Sequence, residues 1–536
     1  MLDEFQKEAV EFKDGACLTL AGPGSGKTHT LLHRTLYLIE KYGVSPGRIL
    51  LITFTKDSAL EMQRRITSYG AVYPVVVGTF HSVFFKFLRK YYHLSNDSLL
   101  FGKEKAAFFR KAVKEKDEEV LSSLEREISF YMNTGGDIDS YEPGNVPKEK
   151  FLSAYKGYTD AKKAAKKIDF DDMLFKTREL FLKSPEALRS VRSLFSYIMV
   201  DEAQDMNPVQ YEILKLMAGE KGNVFLVGDD DQSVYSFRGA SPDILFKFME
   251  DYPEAKTIVL SKNYRCGQSI VEGAARLISH NKKRYVKNLV SAGEEKGEVY
   301  YLNEDNETEE AMKAVEIIKN GKGSTAVLFR NHLSVTELLY FLEEEDIPYE
   351  MKEGMKSPFS HFVCRDILSY LKKPEYKKIS PYAAITYILK GAGYEDSLRT
   401  MAKGDETRFH NLMAHAEELR EFSRGQKNVE VFLKKVEYIK ESSRNMAVVN
   451  KVRPKVFLYT FHGSKGLEFD NVIILDANQG ITPSSKAETE EKIEEERRMF
   501  YVAATRAKKK LYIFSIGRRN NANMYPSCFV REFLPE

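Results

Sequence analysis

Residues 21–28 read AGPGSGKT and have the types and spacing that phosphate binding requires. Their three glycines let the backbone turn tightly and direct N–H groups at phosphate oxygens. Lys27 can reach the β- and γ-phosphates, and the Thr28 hydroxyl can bind Mg²⁺. The strict phosphate-loop pattern starts with glycine, whereas this chain has alanine there. The sequence predicts a nucleoside triphosphate site at Ala21, Gly22, Pro23, Gly24, Ser25, Gly26, Lys27 and Thr28.

A second segment with catalytic chemistry is YIMVDEAQD at residues 197–205, an apolar run that ends in carboxylates. Asp201 ends this run, where it can hold Mg²⁺ through water. Glu202 can orient and deprotonate an attacking water, which favours hydrolysis over transfer to a hydroxyl group. An acidic turn after a buried strand is the alternative interpretation. The phosphate loop in the same chain favours the catalytic one.

A third apolar run, NVFLVG at residues 223–228, leads into DDDQSVYSFRGA. Gln232 in that segment carries a neutral amide that could sense the γ-phosphate or the attacking water. Tyr235, Phe237 and Arg238 follow within six residues, and aromatic rings beside a cation suit stacking against unpaired bases. Core packing could explain Phe237 alone, but it does not explain the whole sequence of acids, amide, aromatics and arginine.

The elements that must position these residues are short strands that alternate with helical stretches. The phosphate loop itself lies between an apolar run at residues 16–20 and a helical pattern at 30–40. Such alternation predicts parallel sheets with helices on both faces. A first set of strands is expected around Leu18, 49–54, 75–77, 198–200, 225–227 and 258–260, and a second around 324–330, 456–460, 471–475 and 511–515. The sequence thus predicts two α/β nucleotide-motor lobes, with ATP in the cleft between them.

Composition limits the class of protein. A chain of 536 residues is too long for one core and suggests about three to four domains. The net charge is only +3, so any nucleic-acid track must be a local basic patch. The four cysteines lack metal-type spacing, which favours a reducing cytoplasm. The polar N-terminus predicts no signal peptide, and no apolar run approaches about 18 residues, so no membrane span is expected.

Further segments follow one another in a recognisable order. They are LDEFQKEAV (2–10), ITFTKDSALEMQRRI (52–66), VGTFHS (77–82), IDFDDML (168–174), LSKNYRCGQSI (260–270), TFHGSKGLEFDNVIIL (460–475), EEERRMFYVAATRAKKKL (494–511) and the tail YPSCFVREFLPE. With the motifs above, they resemble superfamily 1 DNA helicases of the UvrD/Rep/PcrA type over nearly the whole chain. The resemblance implies two RecA-like P-loop motor lobes, each interrupted by a small, mostly helical insertion.

The resemblance also implies roles for residues around the nucleotide. Gln6 is expected to read the adenine, Tyr264 to stack on it, and Glu468 to contact the sugar and phosphate side. Arg265 and Arg506 are expected to act as arginine fingers from the second lobe, an effect worth about 10³–10⁵ in rate. The neighbouring Arg497 and Arg498 are expected to be ordinary solvated arginines instead.

Contacts to single-stranded DNA follow from the same resemblance. Each stacked base could contribute about 1–3 kcal/mol, whatever the base sequence. Family members often carry tryptophan at position 237, but this chain has no tryptophan. A histidine such as His81 is more often structural, yet its TFHS context favours the DNA side. The lysines of KKAAKK (162–167) are expected on a solvated face. The predicted contacts are Phe54, Thr79, His81, Tyr235, Phe237 and Arg238.

The motifs also set expected domain limits. Residues 1–88 and 168–265 are predicted to form the first lobe, and 266–373 with 450–536 the second. The insertions are expected at 89–167 and 374–449. Full-size relatives carry a larger second insertion, which helps them grip duplex DNA. The leading hypothesis is an ATP- and Mg²⁺-dependent 3′-to-5′ DNA helicase that acts on single strands and strand–duplex junctions.

Two alternatives remain open. The reduced insertions favour a single-strand translocase with little unwinding alone, for example the motor subunit of a repair or phage-defence complex with a protein partner. The other alternative is a nucleotide-gated binding module or a P-loop kinase. The set Glu202, Gln232, Arg265 and Arg506 argues against that last class. No nuclease signature follows residue 511, which argues against a helicase–nuclease fusion.

Overall fold

The computed structural model divides the chain into two units. The first unit comprises Met1–Tyr264 and Lys282–Ala292, and the second comprises Arg265–Asn281 and Gly293–Glu536. The structure describes residues 2–69, 73–115, 117–144, 146–220, 222–236, 239–241, 243–293, 295–351, 359, 361–402, 404, 406–445, 454–519 and 522–535.

A parallel sheet forms the centre of the first unit. Among the described residues it has six strands, in the order β3-β2-β4-β5-β1-β6. The strands of the sheet are β1 (Ala16–Ala21), β2 (Ile49–Thr53), β3 (Val76–Thr79), β4 (Tyr197–Val200), β5 (Asn223–Gly228) and β6 (Lys256–Leu260). Two short strands, β7 (Lys262–Asn263) and β8 (Val290–Ser291), pair separately.

Helices cover both faces of this sheet. In β2, Leu50 and Ile52 pack in one core cluster, while Ile49 and Leu51 pack in another on the opposite face. This alternation buries both sides of the strands and explains their continuous apolar sequences. The helices are α1 (Glu4–Glu11), α2 (Lys27–Glu40), α3 (Lys56–Ser68), α4 (Phe80–Tyr92), α5 (Gly102–Val113), α6 (Glu118–Thr134), α7 (Lys148–Ala165), α8 (Phe170–Lys183), α9 (Pro185–Leu194), α10 (Pro208–Ala218) and α11 (Asp243–Asp251).

Helices α5, α6 and α7 have a small core of their own, rich in aromatic residues. Phe109, Tyr131, Phe151 and Tyr158 are all buried in it. Rings of this size bury a large apolar area per residue, which lets a short helical insertion pack without a sheet.

The second unit also has a parallel sheet at its centre. Its six described strands are ordered β11-β12-β10-β13-β14-β9. The strands of the unit are β9 (Glu298–Glu304), β10 (Thr325–Phe329), β11 (Tyr349–Met351), β12 (Val456–Thr460), β13 (Phe469–Ile474), β14 (Ala507–Ile516) and the short antiparallel pair β15 (Arg518–Arg519) and β16 (Ala522–Asn523).

One core joins the sheet of the second unit to its helical insertion. Phe329 and Leu342 belong to the same buried cluster as Leu412 and Phe432 of the insertion. The helices of the unit are α12 (Gln268–Ser279), α13 (Glu307–Asn320), α14 (Thr336–Glu344), α15 (Phe362–Leu371), α16 (Pro381–Thr386), α17 (Tyr394–Ala402), α18 (Glu406–Phe422), α19 (Val429–Asn445), α20 (Glu490–Ala504) and α21 (Cys528–Phe533).

The predicted fold class is confirmed, since both units are parallel sheets flanked by helices. Sequence analysis missed β9 and β11, which lie at the two edges of the second sheet. β9 is only partly buried and β11 has three residues, so neither produces a continuous apolar run. The domain limits remain predictions, and Lys282–Ala292, expected in the second lobe, makes its contacts within the first unit.

Candidate nucleotide and nucleic-acid site

The phosphate loop connects β1 to α2, as a nucleotide-binding loop requires. Gly24 and Gly26 adopt φ of 67° and 82°, in the left-handed region that favours glycine. At Gly26 a Cβ would also lie 2.8 Å from the Gln6 Nε2 atom. The backbone at this position therefore needs glycine for both its conformation and its close approach to Gln6.

The residues expected around the adenine gather beside this loop. Gln6 Nε2 donates to the carbonyl oxygen of Ser25 at 3.0 Å. Tyr264 N–H donates to the carbonyl oxygen of Gly24 at 2.9 Å, and its hydroxyl donates to Asp3 Oδ2 at 2.6 Å. Half of the Tyr264 ring surface is exposed. Burial of the hydroxyl and the hydrogen bond to Asp3 raise the pKa of Tyr264 to about 12, so it stays protonated.

The predicted metal ligands and the predicted base meet the loop at the end of β4. Thr28 Oγ1 donates to Asp201 Oδ2 at 3.3 Å, and Lys27 Nζ lies 3.5 Å from Glu202 Oε1. Burial, with the neighbouring Glu202 carboxylate, raises the pKa of Asp201 to about 7. Lys27 opposes this rise without cancelling it. Two carboxyl groups face one lysine here, and a bound cation would stabilise their ionised forms.

Glu202 has an unusual backbone. Its φ of 51° and ψ of 45° place it in the left-handed region, which costs a residue other than glycine about 1–3 kcal/mol. The side chain accepts a hydrogen bond from Gln204 Nε2 at 2.5 Å. A strained residue held by such a contact beside a nucleotide loop supports a role in chemistry rather than in packing.

Gln204 is a functional candidate that sequence analysis missed. Its side-chain oxygen accepts from the Asp229 N–H at 2.9 Å, while its nitrogen donates to Glu202. It therefore connects the ends of β4 and β5, which are neighbours in the sheet. Gln232 lies in the next turn and donates through Nε2 to Asp229 Oδ2 at 2.6 Å. The signal in the sequence was an amide two positions after the second carboxylate.

The predicted residues of the second unit are Arg265, Glu468 and Arg506, and the first two contact each other. Arg265 Nε is 2.9 Å from Glu468 Oε2, and Lys508 Nζ is 2.7 Å from Glu468 Oε1. Burial opposes ionisation of Glu468, but the hydrogen bonds from Lys508 and Arg265 lower its pKa. Arg506 is buried and donates through Nε to the carbonyl oxygen of Val502 at 2.8 Å.

Aromatic pairs contain several of the predicted DNA contacts. The rings of Phe54 and Tyr235 stack with centroids 5.5 Å apart and an interplanar angle of 16°. His81 meets Phe170 edge to face at 5.6 Å, and half of the Phe170 ring surface is exposed. Phe170 lies within the segment IDFDDML but was not singled out. Burial lowers the pKa of His81 to about 4, so the ring is neutral at pH 7.

The remaining DNA contacts are a threonine that caps a helix and two residues outside the described part of the chain. Thr79 is the N-cap of α4, where its hydroxyl accepts from Ser82 N–H at 3.3 Å. This contact gives Thr79 a structural role, and its contact with DNA remains a prediction. Phe237 and Arg238 lie outside the described residues.

Lys162 was wrongly expected on a solvated face. The side chain is buried, and its Nζ lies 2.6 Å from Asp172 Oδ2 and 3.3 Å from Asp169 Oδ2. The neighbouring Lys163 and Lys166 are exposed, as expected. A buried lysine needs paired carboxylates, and those come from the segment that follows its own helix.

Arg497 and Arg498 were also wrongly expected to be solvated. Arg497 is buried, with Nε 2.6 Å from Glu532 Oε2 and Nη1 donating to Asn281 Oδ1 at 2.6 Å. Arg498 is buried as well and lies 3.4 Å from Glu494 Oε2. The partners of Arg497 lie far away in the sequence, so no local pattern predicts them. Glu494 lies one helical turn before Arg498, a spacing that does not indicate burial.

Comparison with known proteins covers almost the entire chain. Residues 2–253 match the UvrD/REP helicase N-terminal domain, and residues 258–390 and 375–518 match the UvrD-like helicase C-terminal domain. The chain is 31% identical to the Bacillus subtilis (strain 168) protein YjcD, over 99% of this chain and 81% of that protein. It is 29% identical to the ATP-dependent DNA helicase PcrA of Staphylococcus epidermidis, over 99% of this chain and 86% of PcrA.

A further relative is DNA helicase II of Escherichia coli (strain K12). It is 29% identical to this chain, over all of this chain and 87% of its own length. Within the described residues, no helix combines the length and the apolar character needed to span a bilayer.

Proposed function

This chain belongs to the UvrD/Rep family of ATP-dependent DNA helicases, and we propose that it couples ATP hydrolysis to 3′-to-5′ movement on single-stranded DNA. The observation that carries this proposal is the meeting of Lys27, Thr28, Asp201 and Glu202 at one edge of the first sheet. The direction of movement is proposed from the resemblance of the motifs to this type of helicase.

Hydrolysis requires a base and a neutral sensor near the γ-phosphate. Glu202 accepts the proton of the attacking water, and its left-handed backbone with the Gln204 hydrogen bond holds the carboxylate in place. Gln232 orients the water or contacts the γ-phosphate through its amide. Lys27 binds the β- and γ-phosphates, and Gln6 with Tyr264 holds the adenine.

Magnesium is the metal that this donor set fits. Thr28 and Asp201 would hold the ion, because their oxygens converge within 3.3 Å and the adjacent carboxylates lack a full balance of positive charge. When bound, Mg²⁺ neutralises charge that develops on the phosphates.

Arg265 and Arg506 supply positive charge to the γ-phosphate during turnover. In the structure Arg265 pairs with Glu468, and Arg506 donates to backbone carbonyls of its own unit. We expect single-stranded DNA to favour the state in which both arginines reach the nucleotide. ATP turnover is therefore low alone and strongly stimulated by single-stranded DNA.

The single strand and its junctions with duplex are the proposed partners. The stacked pair of Phe54 and Tyr235, together with His81 and the half-exposed Phe170, supports a sequence-tolerant track for bases. Phe237 and Arg238 complete this proposed set. The scattered cysteines favour a cytoplasmic location.

A second candidate function is a translocase that unwinds little by itself and acts as the motor subunit of a repair or phage-defence complex. The short helical insertion at residues 374–449 favours it, since larger relatives use more chain there to grip duplex DNA. In this case a protein partner provides the duplex contact.

An unwinding assay with 3′-tailed and 5′-tailed duplexes, beside ATPase measurements, separates these functions. We expect ATP turnover to rise strongly with single-stranded DNA and strand separation to require the 3′ tail. Displacement of streptavidin from a 5′-biotinylated single strand without unwinding would favour the translocase. ATP turnover that is the same with and without DNA would overturn both.

A further inference from the structure

A segment of eleven residues, Lys282–Ala292, makes its contacts in the first unit although the chain on both sides of it belongs to the second. We call it the strap segment. None of the nucleotide or DNA roles derived above falls on it. Its contacts nevertheless lead to two parts of the ATP site.

The first contact is a buried ion cluster after β5. Lys287 is fully buried, and its Nζ lies 2.9 Å from Asp229 Oδ1, 3.0 Å from Asp231 Oδ2 and in contact with Asp230 Oδ1. Arg284 adds a second cation, with Nε and Nη2 donating to the two oxygens of Asp231 at 2.9 and 2.7 Å. Two cations therefore face three carboxylates, and both cations contact them directly.

The cluster is linked directly to the predicted γ-phosphate sensor. Asp229 binds Lys287 through Oδ1 and accepts from Gln232 Nε2 through Oδ2 at 2.6 Å. One carboxylate therefore connects the lysine of the strap segment to the amide of Gln232. If Lys287 were absent, Asp229 would lose the buried cation beside it, and the Gln232 amide would lose a fixed acceptor.

The second contact is with the phosphate loop. Leu289 lies so close to Gly22 that a Cβ on the glycine would come within 2.5 Å of Leu289 Cδ2. Next to it, β8 pairs with β7, and Ala292 N–H donates to the Asn263 carbonyl at 2.8 Å. Asn263 in turn donates through Nδ2 to the carbonyl oxygen of Pro23 at 2.7 Å.

The strap segment thus holds both the turn that carries Gln232 and the loop that binds phosphate. We propose that Lys287 is a positioning residue for ATP hydrolysis, which acts by fixing the Gln232 amide through Asp229. The inference rests on the proposed function, in which Gln232 assists the attack of water. Lys287 itself touches neither nucleotide nor water.

A stabilising role alone is the simpler explanation, and the chain offers a matched control for it. Lys162 is also buried and also pairs with two carboxylates of the first unit, Asp169 and Asp172, away from the phosphate loop. Removing either lysine takes the nearest cation from a pair or trio of buried acids, while Arg284 stays beside Asp231 and Lys105 beside Asp169, so both changes should lower stability. Only the change at Lys287 should alter the chemistry.

The test compares Lys287→Met with Lys162→Met in full-length protein. For each variant, kcat and KM for ATP are measured with saturating single-stranded DNA, beside the melting temperature. We expect Lys287→Met to lower kcat by about tenfold to a hundredfold, because a small displacement of a catalytic group has an effect of this size. Lys162→Met should melt at a lower temperature too, with kcat within about twofold of wild type.

A double-mutant cycle tests whether Lys287 acts on ATP hydrolysis through Gln232. In a Gln232→Ala background, Lys287→Met should lower kcat no further, because the group that it positions is already gone. Lys287→Arg should recover part of kcat, since it restores the charge. If Lys287→Met does not fold, Asp229→Asn tests the same link without removing the lysine, and we expect a similar fall in kcat.

The outcomes separate the two proposals. Additive losses in the cycle, or equal losses of kcat for the two lysine variants, would overturn the role of Lys287 while leaving the enzyme assignment intact. A wild-type protein that hydrolyses no ATP with DNA present would instead overturn the proposed function.

Discussion

Two acidic clusters stand at the ends of adjacent strands in the first unit, and they differ in how closely cations contact them. Asp201 and Glu202 follow β4, where one lysine approaches no closer than 3.5 Å. The aspartates at residues 229–231 follow β5, where Lys287 lies about 3 Å or less from all three. Both clusters have similar sequences: an apolar strand, then acids, then glutamine.

This difference in cation contact separates a ligand site from a scaffold. At the first cluster, burial and Glu202 raise the pKa of Asp201 to about 7, and a bound cation would favour the ionised carboxylate. At the second, burial opposes ionisation of Asp229, but Lys287 overcomes it and lowers the pKa. Burial and the neighbouring Asp231 still raise the pKa of Asp230 to about 6, although Lys287 opposes this rise. A buried charge that is already paired has no need of an external cation.

The largest effect is expected at the base of the first cluster. Glu202→Gln should lower ATP turnover by about 10²–10⁴-fold, because the amide cannot take a proton from water. Nucleotide binding should persist, since the phosphate loop and Asp201 are unchanged. The measurements are steady-state ATPase and the affinity for a fluorescent ATP analogue.

A matched control for this substitution is Glu212→Gln on α10. Glu212 is partly exposed and pairs with Arg178 at the surface, so its loss should leave turnover unchanged. Near-normal turnover by Glu202→Gln would contradict the assignment of the base.

A smaller effect concerns the metal, and it tests the comparison directly. Asp201→Asn should raise the Mg²⁺ concentration for half-maximal ATPase by about 10–100-fold, as expected for a residue that holds the ion through water. Asp231→Asn makes the same change in the cluster of aspartates at residues 229–231 and should leave that concentration unchanged. The measurement is a Mg²⁺ titration of turnover at saturating ATP. A similar shift for both variants would mean that the two clusters do not differ in the way proposed.

The next effect concerns Tyr235, which follows the aspartates at residues 229–231. Tyr235 comes three positions after Gln232 and stacks on Phe54. Tyr235→Ala should weaken binding of single-stranded DNA by about 1–2 kcal/mol with little change in ATP affinity, similarly for different base sequences. Fluorescence anisotropy with labelled oligonucleotides measures this loss.

The control is Tyr92→Ala, which removes an exposed ring on α4 of the same unit. It should not change DNA affinity. Loss of ATP affinity in Tyr235→Ala, with unchanged DNA binding, would place this tyrosine on the nucleotide side instead.

The smallest effect concerns His81, whose side chain is kept neutral by burial. The pKa of His81 falls to about 4 in the folded protein, below the value near 6.5 of an unfolded histidine. Its contribution to stability is therefore fully present above pH 6.5 and is lost as the pH falls towards 4, because the unfolded chain binds the proton first. Between pH 7 and 5.5 the wild type should lose about 1 kcal/mol more than His81→Gln.

Urea unfolding of both proteins at the two pH values measures this difference. Equal losses would mean that the His81 ring is solvated and free to take up a proton in the folded state. That result would also weaken its assignment to the aromatic surface with Phe170.

Much of the fold could be predicted because its signals are local. Glycines at residues 24 and 26 specify a loop, the apolar runs specify strands, and acids after a run specify the carboxyl end of a strand in a parallel sheet. β9 and β11 were not predicted because edge strands need not be apolar on both sides. The gathering of Gln6 and Tyr264 beside the loop was expected only through resemblance to a family, since 258 positions separate them along the chain.

The sequence by itself determined the nucleotide loop and the strand-end acids, because each depends on neighbouring residues that fix one backbone geometry. The class of motor followed instead from the resemblance of its ordered motifs to a family. Tertiary structure alone decided which charges are paired. Lys287, Lys162 and Arg497 resemble ordinary surface residues in the sequence, yet all three are buried against acids or amides. A buried charge needs its partner within about 3–4 Å. Whether a segment brings that partner there depends on long-range packing, which leaves no local pattern.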